Sequence, residues 1–217
     1  MKSVSAIIFD MDGVLANTMP IHFQTQHQAL KEVGIDIAMS EIEANAGVPT
    51  KEMYQKFKEE KGLDFDIEKA FQRKIFLVNS FFRKEVEPIP GVVDLINQIQ
   101  KAGFKIGLAT SSPRETAEII LKTIRIHHYF EIITSFEDIT KGKPDPEIFL
   151  LAAKKLGVNP EECVVVEDTR AGVTSAKAAG LKCVAFRNHH SGNQDLSQAD
   201  LVIENFENLE IDQIKNL

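Results

Sequence analysis

The stretch Ile7-Ile8-Phe9-Asp10-Met11-Asp12-Gly13-Val14 decides the fold. Its apolar lead-in, Val4 to Phe9, reads as a buried strand that stops at two carboxylates two residues apart. A strand sends residues i and i+2 to the same side, so Asp10 and Asp12 start out pointing the same way. Gly13 lets the chain turn just beyond them. Two close carboxylates repel each other. A divalent cation, or one ionised and one protonated partner, relieves that repulsion. Taken alone, the octet also fits an ordinary strand followed by an acidic turn, because Asp and Gly are common turn residues. The remainder of the chain weighs against that plainer reading.

Beyond Gly13 the pattern turns helical. His22 to Val33 reads as a helix ended by Gly34, and Ser40 with Glu43 reads as a capping box opening the next one. Lys51–Lys61 is a helix ended by Gly62, and Ile67–Glu85 is another, with apolar residues at Phe71, Ile75, Val78, Phe81 and Phe82. Pro88-Ile89-Pro90-Gly91 then punctuates the chain, and a different rhythm begins. Helices Val92–Ala102, Arg114–Ile124, Pro146–Leu156 and Ala171–Ala179 alternate with strands Lys105–Ala109, Ile132–Thr134, Cys163–Val166, Cys183–Phe186 and Leu201–Ile203. Short apolar strands alternating with helices predict an α/β fold, a doubly wound parallel sheet built from right-handed βαβ units. The expected organisation is a core of residues 1–15 and 87–217, with a small all-helical cap of residues 16–86 inserted after the first strand. Ala16–Met19 and Val86–Pro90 are the expected hinge connections.

In open α/β sheets, sites form at the carboxyl ends of the strands. Asp10 and Asp12 follow the first strand; Thr110, Ser111 and Ser112 follow the second. Lys143 lies in Gly142-Lys143-Pro144-Asp145-Pro146 beyond the third, and Glu167 and Asp168 follow the fourth. Each group alone is ordinary; their joint arrival at one sheet edge is not. Up to four negative charges meet a single lysine there. A hard divalent ion with oxygen ligands balances them, and Mg²⁺ is the natural candidate, typically in order to handle phosphate. Thr110, Lys143 and the N–H groups at the helix start Pro113-Arg114 can hold phosphoryl oxygens. One carboxylate can attack phosphorus, and a second can move the proton.

The 217 residues carry a net charge of −7, which argues against nucleic acid as a partner. Met1–Ala6 is too short and too polar for a signal peptide. No apolar run approaches the about 18 residues of a membrane span. A cytoplasmic protein without membrane contact is expected. Cys163 and Cys183 begin apolar strands and read as small buried hydrophobes in a reducing compartment. His127-His128 and His189-His190 read as surface loop residues.

With these residues in place, the chain resembles the haloacid dehalogenase superfamily of phosphotransferases across nearly its full length. The matching motifs are Asp10-x-Asp12-Gly13-Val14, Leu108-Ala109-Thr110-Ser111-Ser112, Gly142-Lys143-Pro144-Asp145-Pro146 and Val166-Glu167-Asp168-Thr169-Arg170-Ala171-Gly172. The helical insertion resembles the cap of the beta-phosphoglucomutase-like subgroup. The resemblance implies Asp10 as nucleophile and Mg²⁺ ligand. It implies Asp12 as general acid/base, with its backbone carbonyl on the metal. Thr110 and Lys143 would bind the transferring phosphoryl group, with Ser111 and Ser112 beside them. Asp168 would be a metal ligand, with Glu167 a ligand or a water-mediated partner. An acid at Asp12 points to phosphotransfer, because the superfamily's dehalogenases lack it.

The cap must supply selectivity. His22, Thr50, Lys51 and Lys74 are its candidate substrate contacts, against a plainer reading of Lys51 and Lys74 as solvated helix faces. The sugar phosphomutases carry an arginine in the cap turn that here reads Gly47-Val48-Pro49-Thr50-Lys51, at the place of Thr50, and an acid at the place of Asn17. Lysine does not replace a bidentate arginine. The resemblance therefore implies a Mg²⁺-dependent phosphatase of a small phosphorylated metabolite, a sugar phosphate, similar to the fructose-1-phosphatase-like members; a monomer is expected. A phosphomutase and a pyrophosphatase are the alternatives within the family. A signalling receiver domain needs about half this length and no such insertion, and a non-catalytic binding protein of the same fold has no need of the full set of chemical residues.

Overall fold

Among the described residues, 3–45 and 48–217, the computed structural model contains the strands β1 (Ala6–Phe9), β2 (Lys105–Ala109), β3 (Ile132–Thr134), β4 (Cys163–Glu167), β5 (Lys182–Phe186) and β6 (Leu201–Ile203). They lie in the order β3-β2-β1-β4-β5-β6, each neighbouring pair parallel. All four residues of β1 are buried, as a central strand covered on both faces requires. The period of two sorts them. Ile7 and Phe9 enter one core with Val164, Val166 and Val184, and Ala6 and Ile8 enter a second core with Cys163, Val165 and Cys183. The first core is closed by helices α5 (Val92–Lys101), α6 (Arg114–Thr123) and α9 (Ile211–Lys215). The second is closed by α7 (Glu147–Leu156) and α8 (Arg170–Ala178). Both cysteines are free and buried, and both histidine pairs are exposed in short 3₁₀ turns.

The ladder runs one residue past two strand ends. Asp10 N–H donates to Val166 O at 2.9 Å, and Thr110 N–H donates to Thr134 O at 2.9 Å. Sheet pairing itself therefore fixes the backbones of the first two residues that carry chemistry, so they need no flexible loop to reach the edge.

Helices α1 (Met19–Glu32), α2 (Met39–Glu43), α3 (Thr50–Lys61) and α4 (Ile67–Phe82) form the insertion. They bury a core of their own around Leu30, Ile42, Met53, Tyr54, Phe57 and Ala70. The chain enters and leaves through two short paired segments: Asn17 N–H donates to Glu87 O at 3.1 Å, and Ile89 N–H donates to Leu15 O at 3.0 Å. Of the described helices, α4 belongs to both regions, since Ala70 lies in the cap core while Val78 and Phe82 lie in the first α/β core. No helix of the described residues is long and apolar enough to cross a membrane.

Two local expectations fail. No capping box forms at Ser40 and Glu43: the N-cap is Ala38, two residues earlier and extended, which puts Ser40 inside the first turn. Ile37 and Ile42 are buried, and that burial outweighs the cap. Phe81 is exposed, and α4 ends at Phe82. The buried stripe of α4 runs instead through Ala70, Lys74, Leu77, Val78 and Phe82, because one helix must face two cores. Helix α9, five residues long and closed by a box between Glu210 and Gln213, had no clear periodic signal.

Candidate active site

At the carboxyl edge of the sheet, Asp10 follows β1, Thr110 follows β2, Lys143 extends from the loop before α7, and Glu167 ends β4. Lys143 Nζ donates to Asp10 Oδ1 at 2.6 Å, to Glu167 Oε1 at 2.7 Å and to Ala109 O at 3.2 Å. Three bonds use all three ammonium protons. The Phe149 ring, its centroid 4.8 Å from Nζ, adds a cation–π contact. Burial alone would lower the lysine pKa; the two carboxylates outweigh it and hold Lys143 well above its usual value, so it stays charged.

Glu167 spends its other oxygen on the following turn. Oε2 accepts from Asp168 N at 2.8 Å, Thr169 N at 2.9 Å and Thr169 Oγ1 at 3.0 Å. Thr169 in turn caps α8 by accepting from Gly172 N at 3.1 Å. A Cβ at Gly172 would overlap the Glu167 carboxylate, so glycine there is a condition of the close approach. Glu167 is thus the anchor of Lys143 and of the turn, with both oxygens engaged.

Asp12 is held by three donors. Thr18 Oγ1 donates to Oδ1 at 2.7 Å, and Ser112 Oγ donates to Oδ2 at 2.7 Å. His22 Nε2 lies 2.8 Å from Oδ1. Burial would raise the pKa of Asp12, but His22 and the hydroxyl donors reverse the effect and leave it well below the carboxylate range. An ionised carboxylate can only accept, so His22 carries its proton on Nε2. Burial, then the positive charge of Lys74, pushes the imidazole pKa below its usual value. Asp10 behaves differently: burial raises it to about 7, Lys143 opposes that rise, and the neighbouring charges of Glu167 and Asp12 add to it.

Asp168 is buried directly after Glu167. Its Oδ2 accepts from Ser191 Oγ, while Oδ1 is buried with no partner. Burial, followed by the charges of Glu167 and Asp10, pushes its pKa well above the ordinary value. An orphaned carboxylate oxygen and two acids held above their usual range describe a site short of positive charge. The donors fit Mg²⁺, which binds through one or two carboxylates and otherwise keeps water or phosphate oxygens. Among the described residues no three His, Cys, Asp or Glu side chains converge into a closed cage, and Asp10 and Asp168 are the side chains left to serve.

Thr110 is fully buried and accepts from Ser112 N at 3.0 Å. Ser111 is exposed at the same turn. In the cap, His22 reaches the core acid directly, and Lys74 is buried near it with its pKa lowered to about 8 by burial. Lys51 is not brought to this cluster. It pairs with Glu68 at 2.7 Å and lies over the Phe71 ring, half exposed. Thr50 accepts from Gln26 Nε2 at 3.1 Å. Gly47, the first residue of the cap turn, lies outside the described residues. Sequence reasoning missed Thr18, Asn188 and Ser191. Thr18 carried a weak signal, a hydroxyl just before a helix start; the other two sit in a polar stretch indistinguishable from a surface loop.

Residues 7–186 match the model of the haloacid dehalogenase-like hydrolase family. A phosphorylated carbohydrates phosphatase of Thermotoga maritima is 32% identical over 82% of this chain and 83% of its own length. The fructose-1-phosphate phosphatase YqaB of Escherichia coli is 32% identical over 84% of this chain and 96% of its own. The crystal structure of a beta-phosphoglucomutase from Clostridium difficile superposes with a TM-score of 0.83 at 27% identity, covering 98% of this chain and 96% of that one. With four motifs delivered to one sheet edge beneath a helical cap, the chain belongs to the haloacid dehalogenase-like hydrolases, in their beta-phosphoglucomutase-like branch, and is an enzyme of the phosphoric monoester hydrolase type.

Proposed function

We propose that this protein is a Mg²⁺-dependent phosphatase of small sugar phosphates that works through an aspartyl phosphate on Asp10. One observation carries the reading: Asp10, Asp12, Lys143 and Asp168 meet at one edge, each held by buried partners. Residues 1–15 and 87–217 would be the catalytic core and 16–86 the cap. In the first step, a carboxylate oxygen of Asp10 bonds to phosphorus while the phosphorus–oxygen bond to the sugar breaks, and the leaving oxygen takes a proton from Asp12. In the second, Asp12 takes a proton from water as the water oxygen bonds to phosphorus, and the bond from phosphorus to Asp10 breaks. Phosphate and the original carboxylate result.

Lys143 stabilises charge on the phosphoryl oxygens, and Thr110 orients them; the Arg114 N–H that opens α6, expected to share this task, is instead donated to the Glu137 carboxylate. Mg²⁺, held by Asp10, Asp168 and the Asp12 backbone, would neutralise charge on the phosphoryl group. In the unliganded site Asp12 is ionised. The entering substrate displaces one of the donors Thr18, His22 or Ser112, which raises its proton affinity, and Asp12 takes up a proton from solvent before it serves as the acid of the first step.

The cap favours hydrolysis over mutase chemistry. Thr50 stands where the mutases carry an arginine, and Lys51 is committed to Glu68. The second reading, a phosphomutase, draws on Lys74, a buried cation in the cap without an ion-pair partner among the described residues, and on the likeness to beta-phosphoglucomutase. One assay separates the two: phosphate release with and without Mg²⁺ over sugar phosphates, nucleotides and pyrophosphate, with beta-glucose 1-phosphate followed for isomerisation. Metal-dependent release concentrated on one or two sugar phosphates is expected. Isomerisation without release would replace the phosphatase reading by the mutase one. Release from pyrophosphate alone would remove the sugar.

A further inference from the structure

Ser191 and Asn188 lie on the loop after β5, outside the four sequence motifs, yet both are buried. Ser191 Oγ donates to Oδ2 of Asp168. Asn188 Nδ2 donates to Gly13 O at 2.9 Å, and its Oδ1 accepts from His190 N at 2.8 Å, which ties the loop to itself. Gly13 has φ +82°, and a Cβ there would overlap Asp168 Oδ2 and crowd Asn188 and Ser191. The turn carrying Asp12, the acid Asp168 and the loop 188–191 therefore converge on one point where there is no room for a side chain. Cap helix α1 packs against the same loop.

We propose that Ser191 is a positioning residue for the cation site: its hydroxyl fixes one oxygen of Asp168 so that the other, Oδ1, faces the cation, while Asn188 locks the Gly13 turn to the same loop. The proposal rests on the reading of Asp168 as a metal ligand. Asp168 Oδ1 is buried and unpartnered, so only the orientation imposed through Oδ2 decides where it points. Without Ser191 the carboxylate loses its one side-chain donor among the described residues and gains rotational freedom beside Glu167 and Asp10. Partners that orient a ligand in this way are worth about 10–100-fold in metal affinity.

The test is direct binding of Mn²⁺, as a stand-in for Mg²⁺, to the full-length protein freed of metal, read as loss of the free-ion electron paramagnetic resonance signal. Melting temperature in chelator is measured in parallel. Ser191→Ala is expected to weaken binding by about 10–100-fold while the metal-free melting temperature moves little. Ser191→Cys keeps the shape but offers a weak S–H donor; it must weaken binding too, and it serves if the alanine variant does not fold. Wild-type affinity in either folded variant overturns the proposal and leaves the phosphatase reading intact. A melting temperature that falls while affinity is unchanged marks a purely structural serine, and also overturns it. Wild-type protein that binds no Mn²⁺ overturns the metal reading itself, and the proposal with it.

Discussion

In the α/β core, Lys143 meets Asp10 and Glu167 at 2.6 and 2.7 Å; in the cap, Lys74 is equally buried and meets no carboxylate among the described residues. The neutral groups do not divide in this way: Ser5 Oγ and Thr134 Oγ1 in the core, and Asn17 Oδ1, His22 Nδ1 and the Tyr54 hydroxyl in the cap, are all buried without a partner. A buried ammonium without a counter-charge is costly, and so is an orphaned polar atom. The core pairs its buried lysine with two carboxylates, yet it stays short of positive charge at Asp10 and Asp168. In the cap, Lys74 and His22 Nδ1 are the buried groups near Asp12 left without a partner among the described residues. On the proposed function, the core would hold the phosphoryl group and the cap would respond to what is attached to it.

Breaking the core should produce the largest effects. Asp10→Asn is expected to lower turnover by more than about 10³-fold with an unchanged melting temperature, measured by phosphate release and thermal denaturation. Substantial residual turnover would sink the nucleophile assignment. Lys143→Met leaves Asp10 and Glu167 facing each other without a cation. Breaking a buried pair in this way costs about 3–5 kcal/mol, so a large fall in the denaturation midpoint should accompany lost activity. Gly172→Ala forces a Cβ into the Glu167 carboxylate, and overpacking of that kind costs about 1–3 kcal/mol. Denaturant titration checks it, and a null result would mean that the anchor of Lys143 can move freely.

The cap side of the contrast is sharpened by pH. Burial lowers Lys74 to about 8, below the about 10.4 of an unfolded lysine. The unfolded chain therefore binds more protons between those values. The penalty for burying the charge is present in full below pH 8 and fades as pH rises toward 10.4, so this group's contribution to stability improves with pH. Substrate affinity should move the other way: KM rises above pH 8, where Lys74 loses the charge that attracts an anion. Lys74→Met should abolish both trends, with KM raised at neutral pH and kcat changed less; a variant with wild-type KM across the range would free Lys74 from any substrate role. The smallest effect belongs to Lys51→Ala. Its ion pair with Glu68 is solvent-exposed, and exposed pairs contribute little, so melting temperature and KM should both stay near wild type. A clear rise in KM would bring Lys51 back into the site.

Much of this molecule was legible because its signals are local. Alternating apolar strands and helices, with glycine ends at Gly34, Gly62, Gly103, Gly157 and Gly180, place the elements within a few residues of where they lie. In a parallel α/β sheet, the residues that follow strands must come to one edge, so Asp10, Thr110, Lys143, Glu167 and Asp168 could be grouped from order alone. Ser40 and Phe81 misled because helix caps and stripe edges are weak preferences that packing overrides.

By itself, the sequence determined which chemical groups this protein brings to one sheet edge, because strand order and side-chain alternation follow from short-range patterns. Only the tertiary structure decided how those groups are wired. It turned Glu167 into an anchor, bound Lys51 to Glu68, and set Ser191 against Asp168 and Asn188 against Gly13. Those pairings join residues 17 to 175 positions apart. Contacts over such separations depend on how whole elements pack, which no local pattern encodes.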